Sequence, residues 1–505
     1  MIVMRTNNDH AQQPLDTQLN TNLSRLKAAF GPGNIDLHVR PLRILSLQRE
    51  GSLLFLEGVV DTNILERHVI EPLLTVDVDI LEDEDFADAL LRKVLQMQSG
   101  TIVPSEQEAV KVLLNGFALL LIEGTAHAIS INAPGFQTRS IEKVQAENVL
   151  LGPREAFVES ATMNRSLIRK QLKEADLMTE AVVMNTVGQQ VVHLMYLRGK
   201  VDPVLLSNIR ERIIRVQSNT VSQLAILGQF LEDRPFSMLP TYLITERPDR
   251  ACAFLNEGHV VMIMESSPHV LIAPVTFWSL FHTAEDMYER FLYGNFIRLI
   301  RLFSFFVALL TPAIYIATTN YHVEMVPTDL VLAIGATREK VPMPAIIEVL
   351  IMELTFELLR EAGIRIPSMI GPTIGIVGAL ILGQAAVDAN IISPILVIVV
   401  AITGLASFTI SDISFSFVIR ILRFFILASA SVLGFFGLSL LLVCLIAYMV
   451  SMKSFGVPFL YPMAPHVKSS NDMIFRPRIW KQVLFPFQIR PQKNEQSQSE
   501  GGTKT

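Results

Sequence analysis

Two kinds of hydrophobic pattern divide the chain. Through residues 1–290 apolar and charged positions intermingle at short intervals, as in a globular α/β fold. Beyond that the charges stop for long stretches. Residues 302–323 contain no Asp, Glu, Lys or Arg, residues 366–410 contain only Asp388, and residues 424–452 again contain none. A helix crosses hydrocarbon with about 20 apolar residues. The pattern therefore predicts spans near 302–318, 369–387, 391–410 and 424–451, the last longer than one straight crossing needs.

The first half repeats itself. Phe55-Leu56-Glu57-Gly58-Val59-Val60-Asp61 matches Tyr196-Leu197-Arg198-Gly199-Lys200-Val201-Asp202 at an offset of 141. Asn115-Gly116 with Glu123 matches Glu257-Gly258 with Glu265, and Asn22 matches Asn164, at an offset of 142. Each copy predicts a strand (53–56, 191–196) ending in a Gly-x-x-Asp turn, where the Asp caps the next helix. A later helix (105–114, 248–256) turns at Asn-Gly or Glu-Gly into a hairpin, 117–122 with 126–131 or 259–264 with 269–273. The expected architecture is an α+β cytoplasmic half of two similar tandem subdomains, then an all-α multispan domain. The divisions fall at 1–20 (polar tail), 21–150, 151–290, 291–452 (membrane domain) and 453–505 (cytoplasmic tail). A cleft between two lobes is one place for a small ligand.

The remaining composition narrows the function. With 505 residues, 42 basic against 48 acidic side chains and a net charge of −6, the chain lacks the basic excess of a nucleic-acid binder. Two cysteines, Cys252 and Cys444, cannot make a disulfide scaffold or a four-ligand zinc site. No phosphate-binding loop, zinc-protease helix or nucleophile elbow occurs, which argues against catalysis, and nothing points to a cofactor. Residues 1–20 hold no apolar secretory core, so the first half is expected in the cytoplasm. Arg290, Arg298 and Arg301 before the first span, and Lys453, Lys468, Arg476, Arg478 and Lys481 after the last, favour that side. Arg420 and Arg423 conflict with it under four crossings. Only a re-entrant segment or an additional crossing removes the conflict.

Three groups of residues carry candidate roles. Pro342 and Pro344 open a helix over 342–361 bearing Glu348, Glu353 and Glu357. At 100° per residue the last two lie about 40° apart, so the three acids occupy a broad half-face. They either line an ion path in an oligomer or lie in water on an interfacial helix. Gly371, Gly375, Gly378 and Gly383 present small residues for close helix packing, and Gln384 offers a hydrogen bond between helices. Asp388 and Asn390 suit a solvated turn. Glu246, Arg247, Asp249 and Arg250, around Pro248, mark a helix start or a contact with the membrane domain.

Thr-Glu-Arg-Pro-Asp-Arg (245–250), Tyr-Glu-Arg-Phe (288–291), Met-Glu-Leu-Thr-Phe-Glu-Leu-Leu-Arg-Glu-Ala-Gly (352–363), Ile-Val-Gly-Ala-Leu-Ile-Leu-Gly-Gln-Ala-Ala-Val (376–387) and Ser-Phe-Gly-Val-Pro (454–458) resemble the A subunit of GerA-family spore germination proteins. Glu-Asp-Arg-Pro-Phe-Ser (232–237) and Thr-Asn-Tyr-His (319–322) resemble the stage V sporulation protein AF branch. Ser411, where the family often has Pro, and Phe459, where Tyr is usual, depart from the pattern. The resemblance implies a protein of the spore inner membrane with a two-part cytoplasmic domain and a membrane domain that forms a homo-oligomeric ion channel. It also implies membrane partners: B- and C-type receptor subunits, or a small membrane protein. A nutrient-sensing receptor subunit and a non-conducting scaffold are the rival expectations.

Overall fold

A computed structural model describes residues 13–75, 86–95, 100–135, 147, 151–185, 189–217, 221, 223–365, 383–466 and 474–476. The N-terminal region holds two five-stranded antiparallel sheets. The first comprises β1 (Leu37–Ile44), β2 (Arg49–Leu56), β3 (Gly100–Val103), β4 (Ala118–Ile122) and β5 (Ala128–Ile131), in the order β1-β2-β4-β5-β3. The second comprises β6 (Leu177–Val183), β7 (Val191–Leu197), β8 (Leu243–Thr245), β9 (Val260–Met264) and β10 (Val270–Ala273), in the matching order β6-β7-β9-β10-β8. The hairpins stand where the alternating patterns put them. The edge strands β1 and β6 carried no sequence signal.

Helices cover both faces of each sheet: α1 (Leu19–Phe30), α2 (Thr62–Leu65, continuing through Glu66–Ile70 to Glu71–Thr75), α3 (Phe86–Lys93) and α4 (Glu106–Leu114) in the first lobe. Their counterparts in the second are α5 (Ala161–Gln171), α6 (Pro203–Arg215), α7 (Leu224–Leu231) and α8 (Pro248–Asn256). The repeated residues now have a physical reason. Glu123 accepts the Leu19 N–H at 2.7 Å, and Glu265 accepts the Ala161 N–H at 2.9 Å, each holding the start of a first helix. Asn22 accepts the Asp16 N–H, and Asn164 the Val158 N–H, both at 2.8 Å. Gly58 and Gly199 take φ +74° and +81°, and Asp61 and Asp202 cap α2 and α6.

The C-terminal part is helical: α9 (Phe291–Asn320), α10 (Thr328–Arg338), α11 (Ala345–Arg365), α12 (Pro394–Phe408) and α13 (Ile413–Ser451). Two of these, α9 and α13, are long and apolar enough to cross a membrane by length and composition. Both begin 11 residues before the spans expected at 302 and 424, because their arginines are paired inside the fold and do not end the helix. Gly371, Gly375 and Gly378 lie outside the described residues. Gly383 is buried, and a Cβ added there would stand 3.8 Å from Val397 of α12, whereas Gln384 is exposed. Asn390 takes φ +53° in the turn expected there.

The chain does not run straight through α13. Gly434 sits at φ +58°, ψ −139°, a non-helical conformation inside the element. Ser429 donates to the carbonyl of Gly437 at 2.8 Å, a contact impossible in one straight helix, where eight residues span about 12 Å. The limbs on either side of Gly434 therefore fold back on each other. Phe415, at the start, packs on Phe277 and Phe281 of the second lobe, with centroids at 6.0 and 5.4 Å. Ser451, at the end, accepts from Arg234 of that lobe at 3.2 Å, while the tip at Gly434 meets Tyr321 beyond the far end of α9. The single long span expected over 424–451 is thus a helical hairpin.

Three other described helices take a direction from this. α9 leaves the lobe and ends at the far side. α11 starts there, with Ala345 buried in one cluster with Tyr315 and Ile316, and returns. α12 also starts at the far side, where the Ser393 N–H bonds Glu348 of α11, and ends near the lobe.

Candidate functional site

α11 is inverted relative to a helix in water. Glu348 and Glu353 are 1% and 0% exposed, while Leu354 and Leu358 are 55% and 71% exposed. The carboxylates do not lie in water at an interface. They point into the bundle, where arginines meet Glu353 and Glu357. Arg420 donates to Glu357 at 2.6 Å, and Arg423 donates to its other oxygen at 2.9 Å. Arg423 also approaches Glu353 at 2.8 Å, an ion pair without hydrogen-bond alignment. Arg360 donates to Ser407 and lies over the rings of Phe356 and Phe408 at 5.0 and 4.5 Å. Charges in apolar surroundings persist only when so paired. This network joins α11, α12 and α13.

A second cluster fixes the bundle to the lobe. Asp286 is 2% exposed and accepts from Arg298 at 3.0 Å and from Arg301 at 3.2 Å. Burial alone would raise the Asp286 pKa, but Arg301 and Arg298 beside it outweigh burial and hold it below the usual carboxylate range. Asn295 and Arg476 exchange hydrogen bonds at 3.2 and 2.7 Å. Of the basic residues flanking the first and last apolar stretches, Arg298, Arg301 and Arg476 are therefore partners of buried groups. A Ser-Phe-Gly turn between β11 (Lys453–Ser454) and β12 (Val457–Pro458) anchors the other end. Ser454 accepts the Val275 N–H at 2.8 Å and donates to the Thr241 carbonyl, and Phe455 is buried among residues of the second sheet.

The 245–250 motif is both helix start and tie. Pro248 opens α8, and Arg247, 1% exposed, grips Asp249 at 2.7 and 3.1 Å while donating to the carbonyls of Glu147 and Pro153. Glu246 accepts the Glu147 N–H, and Arg250 pairs with Glu147 at 3.0 Å and reaches the His282 carbonyl. Tyr288 donates to Asp249 at 3.0 Å. The motif thus holds the 282–288 linker that leads into α9.

Between the lobes, Asp36 receives Arg165, Arg169 and Thr179. Burial opposes its ionisation, but Arg169 and Arg165 prevail and lower its pKa. Beside it lies a cavity of about 330 Å³ lined by Glu57, Gly58, Asp61, Thr162, Ser166 and Lys170. No three acidic, His or Cys side chains stand together to hold a metal among the described residues.

The model of the Bacillus/Clostridium GerA spore germination protein family matches residues 24–486. This chain belongs to the GerA family. Spore germination protein KA of Bacillus subtilis is 34% identical over 92% of this chain and 86% of its own length. Membrane protein YfkQ of the same organism is 37% identical over 86% and 85%, and spore germination protein GerLA of Bacillus cereus is 33% identical over 88% and 89%. Among solved structures, the N-terminal domain of the A subunit of a Bacillus megaterium spore germinant receptor matches 53% of this chain and 99% of that domain, at 23% identity and a TM-score of 0.42.

Proposed function

We propose that the chain is an integral component of the spore germination machinery, an oligomeric ion-conducting subunit of the spore inner membrane that promotes cation release. Family membership supports the germination role. The observation that carries the conducting role is the ion network of Glu353, Glu357, Arg420 and Arg423 inside an otherwise apolar bundle. Buried ionisable groups in membrane helices mark ion paths and gates. The inward carboxylates and outward leucines of α11 suit lipid outside and polarity within. In this reading α9, α11, the span expected over 369–387, α12 and the two limbs of α13 make six passages, with both ends of the bundle on the cytoplasmic side. Arg420 and Arg423 then sit toward the cytoplasmic half, which removes the charge conflict left by four crossings. B- and C-type subunits or a small membrane protein are the expected partners.

Purified chain in potassium-loaded liposomes tests the reading. Glu353→Gln with Glu357→Gln is expected to lower flux at equal abundance, and unchanged flux would end the role of these residues. A nutrient-sensing subunit is the second reading, favoured by the interlobe cavity. Calorimetry of the full chain with amino acids distinguishes it by heat lost in Lys170→Met.

A further inference from the structure

The loop after α7 leaves apolar side chains in the open where the bundle meets the second lobe. Phe236 is 100% exposed and Met238 46%. Their depth is fixed by neighbours at the end of the last helix: Tyr448 donates to Ser237 at 3.2 Å, and Ser237 approaches Met452. The Arg234 guanidinium, exposed on the same loop, donates to the Ser451 hydroxyl at 3.2 Å, and Lys453, two residues after Ser451, is exposed. Tyr448 and half-buried Trp278 both pack against the apolar cluster that joins the second lobe to the bundle, and aromatic residues are common at a membrane–water boundary.

We propose that residues 233–238 form a bilayer-surface anchor: Phe236 and Met238 enter the boundary between headgroups and acyl chains, and Arg234 and Lys453 bind lipid phosphate. The occupant follows from continuity and charge. The loop is hydrogen-bonded to the terminus of an apolar helix whose outer face is itself exposed. Its Asp233 is held by Arg212, while Arg234, and Lys453 at the helix exit, are exposed. An aromatic wedge with basic neighbours is how proteins seat in anionic interfaces. The proposal rests on the bundle lying in a bilayer, and its test separates the two ideas.

Full-length chain carrying Cys444→Ser, which leaves only buried Cys252, would be spin-labelled singly through Phe236→Cys, Leu405→Cys or Ser24→Cys. Collision with oxygen and with a water-soluble nickel complex would be measured in phosphatidylcholine vesicles with and without phosphatidylglycerol. The label at 236 is expected about 5 Å below the phosphates, and shallower when Arg234→Gln and Lys453→Gln are added in the anionic vesicles. Nickel access at 236 equal to that at Ser24, with Leu405 in lipid, overturns the anchor and leaves the bilayer reading standing. A label at 236 shielded from both reagents means that protein covers the loop, which also overturns it. Nickel access at Leu405 removes the bilayer reading and the anchor together.

Discussion

Gly434→Ala tests the reversal in α13 most directly. The backbone there, at φ +58° and ψ −139°, lies where residues with a Cβ are strained by roughly 1–3 kcal/mol. An added Cβ would stand 3.0 Å from Tyr321 Cβ and Cγ and 3.1 Å from His322 Cε1, so the far-side loop must also yield. The helix has no escape by straightening. Its 39 residues would extend about 58 Å against about 30 Å of hydrocarbon, while Phe415 and Ser451 are both fastened to the second lobe. The substitution is expected to destabilise the chain by roughly 1–3 kcal/mol, read by unfolding in lipid nanodiscs. Gly335→Ala is the control, since its helical site is open, and it should gain up to about 1 kcal/mol. If Gly434→Ala unfolds with the unmodified chain, the hairpin is wrong.

The other predictions concern the soluble half and its junction. Asp286→Asn removes the buried carboxylate that Arg298 and Arg301 share and should cost about 3–5 kcal/mol, seen as protease sensitivity at the 282–290 linker. His259, fully buried with Nδ1 2.6 Å from the Pro274 carbonyl, has its pKa pushed down by burial to about 3. Its folded pKa lies below its unfolded value of 6.5, so the unfolded chain takes up the extra proton on acidification. This contribution is complete above pH 6.5 and declines as pH falls toward 3, by up to about 1.4 kcal/mol per pH unit. His259→Gln should flatten the melting profile between pH 6.5 and 4.5; an unchanged slope refutes the assignment. Asp36 acts lower. Its depressed pKa should bring lobe separation only in stronger acid, below the ordinary aspartate value of 3.8, measurable as chemical-shift or fluorescence change between lobes.

The repeat was legible because duplicated residues do the same local work: Glu123 and Glu265, or Asn22 and Asn164, each clamp a helix start within one lobe. The contact between lobes was not, because its residues are no longer equivalent. Arg165 and Arg169 correspond to Leu23 and Lys27 at the 142-residue offset, and their partner Asp36 lies over 120 residues away. Arg420 and Arg423 misled for a similar reason. Counted along the chain they look like side markers, whereas their neutralising partner Glu357 is 63 and 66 residues back. The hairpin left a faint trace, an apolar run too long for one passage, but nothing in the sequence singled out Gly434 among the glycines of such runs.

The clamp on both ends of the bundle has a mechanical consequence. The second lobe grips α9 through Asp286 and the exit from α13 through Ser454 and Phe455. Any torque on that lobe therefore reaches the first and last helices in one stroke. Glu353 and Glu357 ride on an inner helix coupled to that lever through the arginines of α13. A small rotation of the head would be felt first as tension on four charged side chains.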